Sequence, residues 1–308
     1  MKTFRILKNV AVVLLTLLLI NSCETVETTE PMGDAGQTVV KLYPDGFKLV
    51  ALDAVATAQR GLAFEVRRDV HSQASLNSTV TAVVKLDDAV LTAYNADHKT
   101  SFVPLPTSLA TLEPAPAADG KITLNFGPGE FAKTIFVNVP NATKFDFSKA
   151  YALGFSLVST TEGAKLSEAV GTDVVSQVLV KNKYDGKYTM KGFIMRPGDT
   201  GGLEGYFKDH VKTMSTSGAT AVTMSPNQLW ANGGGVGGIG AWTITVDESG
   251  TPPYKITVTD PVAVNWKMDP DYPNRYDPAT KTFYFKVNWG AATNPYIRGC
   301  TDTLTIVK

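Results

Sequence analysis

From residue 37 onward, apolar and polar side chains alternate in short runs broken by Gly, Pro, Asn and Asp, the pattern of half-buried β-strands. Lys121–Phe126 puts Ile122, Leu124 and Phe126 on one face, and residues 134–139 put Ile135, Val137 and Val139 on one face. With Gly127, Pro128 and Gly129 between them, the two runs predict a hairpin. Further runs at 47–52, 62–67, 80–86, 151–158 and 174–180 make seven strands between residues 37 and 182. Such a set of short strands predicts a two-sheet, immunoglobulin-like sandwich. One helix interrupts it. Asp87 and Asp88 are cap residues, and Val90, Leu91 and Tyr94 recur at helical spacing until residues 95–100 end the helix.

The polar, turn-prone stretch 181–185 (KNKYD) predicts a boundary. Beyond it, alternating runs at 187–194, 206–214, 221–224, 242–246, 254–259, 283–288 and 302–307 predict a second antiparallel β-domain over 183–308. The pattern leaves sandwich and barrel both open for it. The expected fold class is all-β, with the first domain spanning 37–182.

The segment before residue 37 reads differently. Lys2, Arg5 and Lys8 precede an apolar run, 10–20, broken only by Thr16. At about 11 residues the run is shorter than the roughly 20 that span a bilayer. A basic head, a short apolar run and a small residue before Cys23 predict a secretory signal over 1–22. Ile20, Asn21, Ser22 and Cys23 resemble a bacterial lipobox, which implies cleavage before Cys23, a lipid on its sulfur and anchorage in a membrane. Residues 23–36 are polar, acidic and free of aromatics, as in a flexible tether. An acidic stretch directly after such a cysteine resembles the surface-export signal of Bacteroidetes lipoproteins. It implies the outer membrane and, on it, the cell surface.

Charge and cysteine content narrow the partners. The chain holds 29 basic and 29 acidic residues; without Lys2, Arg5 and Lys8 the balance is 26 to 29, a net of −3. No basic patch is visible, so nucleic acid is not an expected partner. With Cys23 lipidated, Cys300 has no second cysteine to pair with, which excludes a disulfide framework. Its place just before an alternating run predicts a small buried hydrophobe.

Several longer segments resemble one family. LDDAVLTAYNADHKTSFVPLP (86–106), GPGEFAKTIFVNV (127–139) and FDFSKAYALGFSLVS (145–159) are similar to the helix, the turn-plus-strand and the middle strand of a Bacteroidetes N-terminal domain of unknown function. Gly154 stands where that strand often carries proline. RYDPATKTFYFKVNWG (275–290) and RGCTDTLTIVK (298–308) resemble the closing strands of the domains that follow it. The family sits in lipoproteins of polysaccharide-utilisation loci, beside SusE-like glycan-binding proteins. The resemblance implies a polysaccharide or oligosaccharide ligand and association with an outer-membrane transport complex. Some relatives carry a glycoside hydrolase barrel, but the chain has no D-x-x-D-x-D-x-E strand motif, so no catalysis and no cofactor are expected.

The residues themselves give little chemistry. His71, His98 and His210 lie far apart and lack ligand spacing. Asp269, Asp271 and Asp277 in MDPDYPNRYDP are calcium candidates, although turn chemistry accounts for them equally well. There is no G-x-S-x-G elbow. The glycine-rich 232–240 is followed by a strand rather than a helix, so it predicts a mobile loop and not a phosphate cradle. Aromatics are more telling, because sugar rings pair an apolar C–H face with a rim of hydroxyls. Trp242 and Trp289 fall on alternating apolar faces and are expected in the core. Trp230, Trp266, Tyr272 and Tyr276 fall on irregular stretches and are the candidate glycan platform, with Asn232, Asp271 and Arg275 as polar partners. The plain alternative is that Trp266 and its neighbours close one end of the β-domain. On function, the competing reading is a structural or adhesive surface protein that binds other proteins.

Overall fold

The computed structural model describes residues 36–161, 163–168, 171–225, 228–291 and 294–307. The predicted signal segment, Cys23 and all of the tether but residue 36 lie outside the described residues.

In chain order the first part runs β1 (Thr38–Tyr43), β2 (Gly46–Asp53), β3 (Gln59–Asp69), helix α1 (Gln73–Asn77), β4 (Val80–Leu86), helix α2 (Asp88–His98) and β5 (Val103–Pro104). It continues with β6 (Thr111–Glu113), β7 (Lys121–Phe126), β8 (Ala132–Val139), β9 (Tyr151–Thr160), β10 (Ala164–Leu166) and β11 (Asp173–Lys181). Two sheets form, ordered β10-β1-β3-β8-β6 and β2-β11-β9-β4-β7, with β5 on the side of β9. They face each other across one core, in which Val40, Phe64, Ile135 and Val137 of the first sheet meet Val84, Ile122, Phe126 and Phe155 of the second. The two-sheet sandwich is as expected, but among the described residues it holds four short strands beyond the seven predicted, β1, β5, β6 and β10, and three of its pairings are parallel.

The expected hairpin does not form. β7 pairs with β4 in one sheet, and β8 pairs with β3 and β6 in the other. Gly127, Pro128 and Gly129 therefore carry the chain across the core. Both runs do bury the predicted residues. Period-two alternation is the same for strands side by side and for strands facing one another across a core, so the inward faces were readable and the sheet membership was not.

Helix α2 begins where the sequence indicates. Asp87 caps it by accepting a hydrogen bond from the Ala89 N–H at 3.0 Å, and Lys99 ends it in the left-handed region at φ 56°. Its Leu91 packs on Ala152 and Val175, on the outer face of β9 and β11. Gly154 makes this approach possible: a Cβ there would lie 2.5 Å from the Asp87 carbonyl and 2.8 Å from the Leu91 nitrogen. Gly154→Ala should push the helix off the sheet and cost about 1–3 kcal/mol, read as a lowered urea midpoint. An unchanged midpoint would mean that the helix shifts freely.

The second part comprises β12 (Gly186–Met195), β13 (Gly205–Thr216), β14 (Ala221–Ser225), β15 (Trp242–Asp247) and β16 (Tyr254–Thr259). β17 (Lys267–Met268), β18 (Arg275–Asp277), β19 (Thr282–Ala291) and β20 (Asn294–Ile306) follow. Each pairs antiparallel with its neighbour, and β20 joins both β19 and β12. The sheet thus closes into an 8-strand, up-and-down barrel, which decides between the two architectures left open. β17 and β18 both pair with β19 and share one strand position. Residues 269–274, with Pro270 and Pro273 unable to donate ladder hydrogen bonds, leave the barrel wall between them. The interior is filled by side chains, among them Tyr188, Met190, Met214, Trp242, Phe283, Phe285 and Leu304, as a barrel of this strand number allows.

One end of the barrel meets the sandwich. There the Asn182 amide donates to the carbonyls of Gly218 and Ala221 at 2.9 and 2.7 Å, and Lys183 pairs with Glu248 at 3.0 Å. The opposite end carries residues 196–204, 228–241 and 260–266.

Candidate functional site

The glycine-rich stretch, expected as a mobile loop, packs across the barrel's far end. Trp230, Val236 and Ile239 are buried there. The stretch is fastened from inside: Gln228, fully buried, donates its amide to both oxygens of Asp302 at 3.1 and 3.3 Å. Asp302 also accepts from the Cys300 thiol at 3.2 Å. Cys300 is buried as expected, yet its role includes a hydrogen bond. Burial pushes the Cys300 thiol well up and Asp302 up to about 7, while it pushes the buried Lys212 ammonium down to about 8.

The predicted platform divides. Trp230 offers no free ring face, because it is 7% exposed and the guanidinium carbons of Arg196 and Arg298 lie 5.1 and 5.8 Å from its ring centroid. Tyr276 points into the core, with ring centroids 4.5 Å from Phe283 and 4.8 Å from Tyr184. Trp266 donates its indole N–H to the Val258 carbonyl at 2.8 Å, and its ring lies 5.0 Å from Trp242 and 6.2 Å from Trp289. It closes one end of the barrel, as the plain alternative held. Trp242 and Trp289 are buried as expected. Asn232 is exposed, with its side-chain oxygen accepting from the Gly234 N–H at 2.9 Å to hold the turn.

Asp271, Tyr272 and Arg275 lie instead on the barrel's flank, where 269–274 leaves the wall. Asn274 builds this excursion. Its amide donates to the carbonyls of Asp269 and Tyr272 at 2.8 and 3.0 Å, and its oxygen accepts from the Lys286 N–H at 2.9 Å. Asp269 is held by Lys286 at 2.7 Å, which keeps its carboxyl below the usual range. The Arg275 guanidinium lies 4.4 Å from the ring centroid of Tyr284. Burial raises the Tyr272 hydroxyl above its usual range, with Arg275 opposing the shift. Tyr284, Lys286 and Asn274 were not singled out from sequence. The first two were legible as the outward positions of the run whose inward residues are Phe283, Phe285 and Val287.

The calcium candidates do not converge. Asp269 is committed to Lys286, and Asp277 accepts from the Ala279 N–H at 2.9 Å. Among the described residues no group of three or more His, Cys, Asp or Glu side chains is placed to hold a metal ion, and no helix is long and apolar enough to cross a membrane.

A family model described as a "-like, N-terminal domain" matches residues 50–163. No curated protein matches the chain. Among solved structures, a Bacteroides ovatus protein of unknown function is 12% identical with a TM-score of 0.55, over 88% of this chain and 95% of its own. A second Bacteroides ovatus protein of unknown function is 10% identical with a TM-score of 0.50, over 86% and 89%. An auxiliary nutrient binding protein from Bacteroides thetaiotaomicron is 12% identical with a TM-score of 0.49, over 85% and 90%. The first two share the two-part β fold with this chain.

Proposed function

We propose that the protein is a non-catalytic saccharide-binding lipoprotein of the SusE-like kind, held by a lipid on Cys23 at the outer membrane of a Bacteroidetes cell, facing outward beside a polysaccharide transport complex. The observation that carries the binding reading is the barrel flank. There the Arg275 guanidinium lies over the Tyr284 ring, the Lys286–Asp269 ion pair stands beside it, and Asp271 and Tyr272 are carried on the excursion that Asn274 holds in place. Aromatic faces beside donors and acceptors are what a pyranose requires. Capture near an importer needs only modest affinity, because the anchor supplies effective concentration.

The test is retention of the full chain on a panel of plant, host and microbial polysaccharides in affinity gels. Tyr272→Ala and Arg275→Ala should each weaken retention on the recognised polysaccharide by about two- to tenfold, with thermal unfolding unchanged. No retention on any polymer would refute the proposal and favour the adhesive reading. The anchor is tested separately: Cys23→Ala should abolish incorporation of labelled fatty acid and release the chain from membranes.

A further inference from the structure

The geometry points to a second site for a neutral oligosaccharide, in the groove between the sandwich and the barrel. The inference rests on the saccharide-binding reading but on different residues. The groove encloses ≈ 410 Å³, within the roughly 300–1,000 Å³ of small-ligand sites. It is lined by Gln177 and Leu179 of β11, by Ser148 and Lys149 before β9, and by Thr213 and Ser215 of β13.

Its charges are matched within its own walls. Asp146 pairs with Lys149 at 3.1 Å and Lys181 with Asp185 at 2.9 Å. The second oxygen of Asp185 accepts from the Thr216 N–H and hydroxyl at 2.8 and 3.0 Å. An ion entering the groove would find each charge already compensated, so little attraction is left for it. Ser148 and Thr216 spend their hydroxyls on Asp146 and Asp185, which leaves the hydroxyls of Thr213 and Ser215 and the amide of Gln177 to recognise an uncharged, polyhydroxylated ligand.

The groove runs onto an aromatic platform. Strand register sets Gln177 beside Leu49, and Phe47 lies two residues along β2 on the same outward face. On the other side Phe102 precedes Val103, whose N–H donates to the carbonyl of Ala150 in the groove wall at 2.9 Å. Phe47 lies 5.7 Å from Tyr94 and 6.3 Å from Phe102, with interplanar angles of 18° and 16°. Tyr94 in turn lies 4.1 Å from His98 at 25°. Phe47 and Leu49 are 36% and 44% exposed, since α2 covers β9 and β11 and stops short of the outer face of β2. Near-parallel rings at the end of a charge-neutral, hydroxyl-lined groove suit the alternating apolar faces and polar rims of successive sugars.

The full chain, purified in detergent, is compared with Phe47→Ala, Thr213→Trp and Tyr272→Ala on the polysaccharide identified by affinity gel. Phe47 and Thr213 are both solvent-facing, so neither substitution disturbs a core; the tryptophan fills the groove. Phe47→Ala should weaken binding by about two- to tenfold, Thr213→Trp by at least as much, and either combined with Tyr272→Ala by more than any single change. Wild-type affinity in both Phe47→Ala and Thr213→Trp, with loss in Tyr272→Ala, would overturn the second site and leave the flank standing. A parent protein that binds no polysaccharide would overturn both.

Discussion

Arg68→Met should lower the unfolding free energy by about 3–5 kcal/mol, read from urea denaturation. Arg68 is 2% exposed and ends β3 inside the sandwich. Its Nε donates to the Glu130 carbonyl at 2.5 Å and its Nη1 to that of Ser78 at 2.7 Å; its Nη2 serves Leu76 at 2.5 Å and Gly127 at 2.8 Å. These carbonyls belong to the α1 turn and to the crossover between β7 and β8, which have no strand ladder of their own. A methionine keeps the apolar stem and removes the donors, so the four acceptors are left without this partner. Arg68→Lys should recover only part of the loss, because three ammonium hydrogens cannot reproduce a planar fork spread over four directions. A change below about 1 kcal/mol would mean that water replaces the guanidinium.

Asp302→Asn should remove a pH dependence of stability of about 2–4 kcal/mol. Burial raises the Asp302 carboxyl to about 7, against roughly 4 in an unfolded chain. Between those values the folded protein keeps a proton that the unfolded chain has released. Stability from this group is therefore fully present below about pH 4 and declines until the pH passes about 7. Lys212 acts in the opposite sense at higher pH: its amine is lowered to about 8, so stability is regained between there and roughly 10.4. Calorimetric melting of the parent should show a falling limb from about pH 4 to 7. In the asparagine variant that limb should be flat, since the amide can still accept from Gln228 or Cys300 without ionising. The same slope in both proteins would place the titration elsewhere.

Much of the fold was legible because alternation reports which way a side chain points. The inward sets Ile122, Leu124, Phe126 and Phe283, Phe285, Val287 are buried as read, and Asp87 caps α2. What alternation cannot report is which sheet a strand joins, hence the missing hairpin, or whether an edge closes on itself, hence the barrel. The candidate site was harder for a related reason. Tyr276 sits on a strand of three residues and Trp266 immediately before one of two, too short to show a period, so both looked like loop residues although one is buried and the other half-buried. Lys212 fell in the inward phase with Met214, but its charge argues for the surface. Only the closed geometry, which gives it Asp302 as a distant partner, accounts for its place. The groove beside Phe47 depends on how β11 and β13 lie together, and no run of sequence encodes that.

The inner fastening of the barrel's cover sets an order of assembly. Gln228 can take its position only against Asp302, and Asp302 lies on β20, the strand that fits between β19 and β12. The β12–β20 pairing joins residues more than a hundred positions apart in sequence, such as Tyr188 and Ile306, and contacts of that span form late. The far mouth of the barrel therefore stays unsealed until its closing strand arrives, and the sandwich, whose strands all precede residue 182, can finish folding before the rest of the chain has a lid.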